Sequence, residues 1–263
     1  MKTDRQAALF LSHGSPMHAI AASDAARAWS AYGQQTPRPR AVLMVSAHWD
    51  TGLAMLSGAR APETIHDFGG FPEELYRIRY PAPGAPELAE RARVLLKAAG
   101  IAAGIDGSRG LDHGAWVPLR HLYPEADVPV VQLSVQSGLG ARQHWALGRA
   151  LSSLRDEGVL IIASGHMTHN LRDYFYSGGE GEPLEYVQAF RSWVLERLTP
   201  ERASELLDWE GAPGALRAHP TPEHFLPFFV ALGAAGERFV RRDLYSGFEG
   251  RALAMDGFAL VDQ

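Results

Sequence analysis

The sequence predicts an α/β fold: a single domain over residues 1–263, built on a central, mainly parallel mixed sheet flanked by helices. Three observations predict it. Four runs are apolar at nearly every position, as strands covered on both faces are, instead of alternating like a half-exposed sheet. Segments of helical period lie between them, the alternation that builds parallel sheets. The C-terminal stretch RRDLYSGFEGRALAMDGFALV carries short apolar runs separated by glycine, which predicts two or three antiparallel strands finishing the sheet.

The first strand, Ala8–Ser12, stops abruptly at Ser12-His13-Gly14-Ser15-Pro16. The second, Ala41–Ala47, runs into His48. PAPGAP (81–86) is a turn or a helix lead-in, and a helix is predicted over Ala85–Ala99, where Leu88, Ala92, Leu95 and Ala99 share one face and Gly100 ends it. The third strand is Val128–Val135. A helix over Ala141–Glu157 follows, with Leu147, Ala150, Leu151 and Leu154 on its apolar face and Gly158 as its stop. The fourth strand, Val159–Ser164, is followed by His166 and His169. Leu184–Leu198 is helical, through Val187, Phe190, Val194 and Leu198. No repeat, linker or low-complexity tract divides the chain, and PAPGAP is too short to do so.

A net charge of -5, spread along the chain without a basic block, argues against nucleic acid as a partner. With no cysteine there can be no disulfide, thiolate nucleophile or Cys-ligated zinc. MKTDRQAALF lacks the apolar core of a signal peptide, and no stretch is long and apolar enough to span a bilayer. A cytoplasmic protein with no membrane partner is expected, either monomer or homodimer.

The eleven histidines matter most for where they sit. His13, His48 and the His166/His169 pair all follow apolar runs, and open α/β sheets bind ligands beyond the carboxyl ends of their strands. Converging neutral imidazoles would suit zinc, iron or copper. Taken singly, a histidine after a strand is usually an exposed loop residue or a hydrogen-bonded packing residue, and no HExxH motif is present. TIHDFGGFP (64–72) sets His66 and Asp67 before a Gly-Gly pair: a ligand-facing loop or a tight surface turn. In GLDHGAW (110–116), Asp112 and His113 precede Gly114, and Asp112 either fixes a histidine tautomer or simply caps a helix. HPTPEHFLPFF (219–229) reads as a helix start, with Thr221 at the N-cap, Pro222 first, then Glu223 and His224. The serine of SHGSP lies outside any GxSxG elbow, which disfavours a serine hydrolase.

HGSPM, SAHW, TIHDFGGFP, YPAPG, DHGAW, PVVQLSV, SGHMTHN and PTPEHFLP, in this order from about residue 8 to 260, resemble the DOPA-dioxygenase-type extradiol family within the class III, LigB-like dioxygenases. That resemblance implies a single LigB-like α/β domain and one divalent metal on His13, His48 and His224, with Glu223 as the alternative third ligand. It implies His169 beside the metal, as acid/base or further metal neighbour, and His113 lining the substrate pocket. His166 is an additional imidazole that the family pattern does not require. The implied activity is Fe(II)-dependent cleavage of a small, DOPA-like catechol by O2 to a muconic semialdehyde-type product, at the 4,5 or the 2,3 bond. Isolated members also carry zinc, which has no redox couple. Two other readings remain open at this point. One is a zinc hydrolase of an amide or ester with Glu223 or His169 as base; the other is a non-catalytic, metal-containing binding protein of the same superfamily.

Overall fold

The computed structural model describes residues 5–179 and 181–263. Its strands are β1 (Ala8–Ser12), β2 (Ala41–Asp50), β3 (Ala54–Ser57), β4 (Ala103–Asp106), β5 (Val130–Val135), β6 (Val159–Gly165), β7 (Phe239–Tyr245), β8 (Phe248–Glu249), β9 (Leu253–Ala254) and β10 (Gly257–Asp262). All but β8 and β9 join one sheet in the order β4-β3-β5-β2-β6-β1-β10-β7. The centre, β5-β2-β6-β1, is parallel. At one edge β3 runs antiparallel to β5 and carries β4 parallel to itself. At the other, β10 and β7 are antiparallel additions. The fold is therefore a single α/β domain with a mainly parallel mixed sheet. The C-terminal prediction needs one refinement: two strands finish the sheet, while β8 and β9 form a separate hairpin.

The helices are α1 (Asp24–Gln35), α2 (Glu73–Arg77), α3 (Pro86–Ala98), α4 (His113–Leu122), α5 (Gly140–Leu151), α6 (Leu171–Tyr176), α7 (Glu185–Arg197), α8 (Ala215–Ala218) and α9 (Leu226–Ala235). Strand side chains alternate between faces. Ala8 and Phe10 of β1 join the core made with α3, α5, α7 and α9, whereas Leu9 and Leu11 join the one made with α1 and α4. Both faces are covered, which is why the central strands show continuous apolarity. All ten residues of α9 are buried, since it lies between α5 and strands β1 and β6. No helix among the described residues is long and apolar enough to cross a membrane.

Several boundaries move for physical reasons. Pro129 offers no N–H to the ladder, and β5 begins after it. The 141–157 helix is α5 followed by a tighter 3₁₀ segment, Ser152–Glu157, closed by Gly158 at φ 78°. The helix start at Thr221 is corrected. Helix α9 begins at Leu226, with no side-chain cap and with proline in its first turn. The Thr221 hydroxyl donates instead to Glu223 Oε1 (2.9 Å). The His224 carbonyl is taken by the His166 amide (2.7 Å), which ties this segment to the end of β6 before the helix can start.

Candidate metal centre

Each site histidine is placed by a break in regular structure at the carboxyl edge of the sheet. Paired β1 ends at Ser12, and His13 comes next. Strand β2 pairs with β6 as far as Ser46, and its register against β5 shifts between Val45 and Asp50, so His48 lies in the part released from the regular ladder. His166 and His169 follow β6. The turn bearing His224 is packed against Gly165, where an added Cβ would lie 2.2 Å from the His224 carbonyl oxygen. That close backbone contact needs a glycine, and it brings a residue 59 positions downstream of β6 to the edge of the sheet.

Polar partners at Nδ1 orient three of these rings, His13 and His224 through hydrogen bonds and His48 through a longer contact with a carboxylate. Ser164 donates its hydroxyl proton to the Gly114 carbonyl, so its oxygen must accept from His13 Nδ1, 3.0 Å away. His224 Nδ1 lies 3.0 Å from Glu223 Oε1, and His48 Nδ1 faces Asp67 Oδ2 at 3.5 Å. An acceptor at Nδ1 places the proton there in each case and leaves Nε2 bare. These bare nitrogens converge: His13 Nε2 is 2.9 Å and His224 Nε2 3.4 Å from His48 Nε2. Three lone pairs with no proton to share repel one another, and a cation between them relieves that. The donor set thus fits one divalent metal, in keeping with the carboxylate-backed imidazoles common at such sites.

Burial, and then the neighbouring imidazoles, push His13 and His224 well below the ordinary histidine range. His48 is lowered for the same reasons, against the pull of Asp67. Burial lowers His169 to about 4. For Asp67, burial acts to raise the carboxyl, but His113 and His48 outweigh it and hold it below the usual range. Neutral imidazoles facing a charged carboxylate are in the protonation state that ligation requires.

All five histidines expected at the site are brought together. His113 opens α4; its ring centroid is 3.9 Å from that of His48, and its Nδ1 is 3.0 Å from Asp67 Oδ1. One ligand atom from each of His13, His48 and His113 falls within 4.8 Å of the others, and the same holds for His169, Glu223 and His224. The His169 ring stacks on His224, centroids 3.5 Å apart and planes 11° apart. His166 also lines the cavity, 5.8 Å from His13 between ring centroids. His66 does not join the group; its Nε2 is satisfied by the Ile78 carbonyl at 3.1 Å.

Of the two roles open to Asp112, the structure shows the cap. Its carboxylate accepts from the Ala115 amide and from Ser46, Arg109 and Gln132. The acid beside His113 and His48 is Asp67, which sequence reasoning noticed without giving it that task. Ser164 behind His13 and Glu249 in the cavity wall were missed as well. A serine at a strand end was the one available signal, and Glu249 offered none.

Above the imidazoles opens a cavity of about 550 Å³. Phe68, Phe71, Leu171, Tyr174 and Phe175 give it an apolar wall, wide enough for one aromatic ring with a short side chain.

The family described as the catalytic LigB subunit of aromatic ring-opening dioxygenase matches residues 7–250. The chain belongs to this family. It is 43% identical over 238 residues to a 4,5-DOPA dioxygenase extradiol of Escherichia coli (strain K12), covering 89% of this chain and 87% of that one. A protein of the same description from Beta vulgaris is 42% identical over 260 residues, covering 95% and 94%. The crystal structure of an uncharacterized Escherichia coli K12 protein superposes with a TM-score of 0.84 at 36% identity, covering 97% of this chain and 99% of that one.

Proposed function

We propose that this LigB-family chain is a non-haem Fe(II)-dependent extradiol dioxygenase. It opens the ring of a small, DOPA-like catechol with O2 to a muconic semialdehyde-type product. The carbon–carbon bond beside the diol breaks, and both atoms of O2 enter the product, one as aldehyde oxygen and one in the new carboxylate. The observation that carries this reading is the convergence of three bare Nε2 atoms below an apolar, ring-sized cavity. His13, His48 and His224 would hold the metal. Iron held there would supply a Lewis acid for the catechol hydroxyls and a redox couple between ring and dioxygen, which zinc lacks.

The remaining work falls to the chain's own side chains. Asp67 Oδ1 lies 3.0 Å from His113 Nδ1, which favours the proton on that nitrogen and leaves the other ring nitrogen of His113 to accept a hydrogen bond from the substrate. His169 stacks flat on His224, and neither of its ring nitrogens has a hydrogen-bond partner among the described residues. It is free to take the second catechol proton and return it later, as a general base and then a general acid. Glu223 is engaged through Oε1 by both Thr221 and His224 Nδ1, which favours His224 as the ligand and Glu223 as its support.

The test is anaerobic loading with Fe(II), followed by oxygen and a panel of catechols. One O2 consumed per catechol, with a yellow semialdehyde, is expected; product analysis separates 4,5 from 2,3 cleavage. The zinc-loaded protein should bind catechol without consuming oxygen. Oxygen-independent ester or amide hydrolysis by the zinc form would overturn the reading in favour of a hydrolase. Catechol binding by the iron form without turnover would overturn it in favour of a binding protein.

A further inference from the structure

The wall of the catalytic cavity carries one carboxylate, Glu249 of the β8–β9 hairpin, and no lysine or arginine lines it among the described residues. Glu249 Oε2 lies 3.3 Å from His18 Nε2, and His18 Nδ1 lies 2.7 Å from Ser23 Oγ. Ser23 is the N-cap of α1, its oxygen accepting the Ala26 amide, which leaves its hydroxyl proton for His18 Nδ1. A proton on His18 Nε2 is donated to Glu249 and closes this chain of bonds. One carboxylate oxygen is thereby fixed in place. The other, Oε1, accepts no hydrogen bond among the described residues, and the side chain, 25% exposed, lines the cavity.

The location matters as much as the charge. Gly14 directly follows His13 and has φ +63°, and a Cβ there would lie 2.5 Å from His18 Nε2. The His18–Glu249 pair thus adjoins the chain segment that carries a metal-facing imidazole. A ring seated over the histidines has its substituent within the same 550 Å³ cavity as Glu249.

We propose that Glu249 is a specificity residue that receives the ammonium group of a catechol's side chain, so that the cavity takes cationic catechols ahead of neutral ones and neutral ones ahead of carboxylates. The proposal rests on the ring-cleavage reading for the seat of the catechol itself. An ammonium gains a charge-assisted hydrogen bond to a preset carboxylate in a largely apolar, weakly screening cavity. A carboxylate substituent meets a like charge and finds no cationic side chain to offset it. A catechol amino acid carries both groups, and its ammonium then turns toward the β8–β9 hairpin.

The test is calorimetric binding to the metal-loaded protein with oxygen excluded. The probes are 4-(2-aminoethyl)catechol, 4-ethylcatechol and 3-(3,4-dihydroxyphenyl)propanoate. The amine should bind about ten- to a hundredfold more tightly than the ethyl compound, the range of one hydrogen bond to a charged group. The propanoate should bind weakest. Glu249→Gln should bring the amine-to-ethyl ratio toward one, and Glu249→Asp should restore part of it. Equal affinities for the three probes, tightest binding of the propanoate, or an unchanged ratio in a folded Glu249→Gln would overturn the proposal. Should a variant fail to fold, the order of the three probes on the unaltered protein still decides. Oxygen uptake is measured separately. The expected order of affinities without uptake would overturn ring cleavage and keep the charge preference, whereas uptake with no order would overturn the charge preference alone.

Discussion

Two buried histidines five residues apart, His219 and His224, divide the segment before α9 into a structural half and a chemical half. They are 2% and 6% exposed, and burial lowers both well below the ordinary histidine range. Neither burial nor acidity separates them. Their partners do. His219 is packed between Phe190, Trp209 and Phe225, and its Nε2 donates to the Met167 carbonyl at 3.0 Å. No second imidazole nitrogen faces it at hydrogen-bond distance among the described residues. His224 turns Nδ1 to a carboxylate and aims a bare Nε2 at His48. A buried histidine is set up to bind a cation when its far nitrogen is backed by an acceptor and its near nitrogen meets other lone pairs.

The largest effect should come from removing the near nitrogen. His224→Ala leaves two of three converging nitrogens, and the protein should lose its metal; elemental analysis after gel filtration should fall from about one equivalent to near zero. His219→Ala should do the opposite, retaining metal while losing roughly 2–4 kcal/mol of stability through the cavity left among three aromatic rings, read by urea unfolding. Metal loss in His219→Ala at intact fold would erase the distinction.

The third effect is on acid stability. The folded-state pKa of His219 is about 3, set by burial and partly opposed by the Met167 carbonyl, against 6.5 ordinarily. The unfolded chain therefore binds a proton that the folded chain refuses. The contribution is whole above pH 6.5 and is lost as pH falls toward 3, by about 2 kcal/mol at pH 5. In metal-free protein, where proton competition with the metal cannot intervene, His219→Phe should flatten the loss between pH 7 and 5 by about that amount. An unchanged slope in chemical unfolding would show that His219 titrates normally.

The same contrast explains what the sequence made legible. The central strands were readable because both faces are buried, which writes continuous apolar runs. His13, His48 and His169 were readable as candidates because they follow those runs, and His224 and His113 came through family resemblance. Helix α1 was missed because its buried face is only Ala25, Ala26 and Trp29, too small to show a period. In α4, Gly114 and Pro118 break the helical signature. Strand β3 and the edge strand β4 are four residues each, and β4 is largely half-buried. The Thr221 cap failed because Glu223 competes for the hydroxyl, a side-chain choice that spacing does not encode. The Asp67–His113 contact spans 46 positions and exists only once the sheet brings two loops together.

The smallest effect should come from the group behind the ligand. Glu223 Oε1 accepts from Thr221 and stands 3.0 Å from His224 Nδ1. Glu223→Gln can keep that acceptor through its amide oxygen, so the tautomer and ring orientation survive while the negative charge is lost. Partners of this kind are worth about 10–100-fold in metal affinity. The isosteric change should sit at the low end, about tenfold, and Glu223→Ala, which also removes the acceptor, near the high end. Competition with a chromophoric chelator measures both. If Glu223→Gln instead emptied the site as completely as His224→Ala, the carboxylate would itself be a ligand. The two halves of the segment would then differ by an acid as well as by the direction of an imidazole.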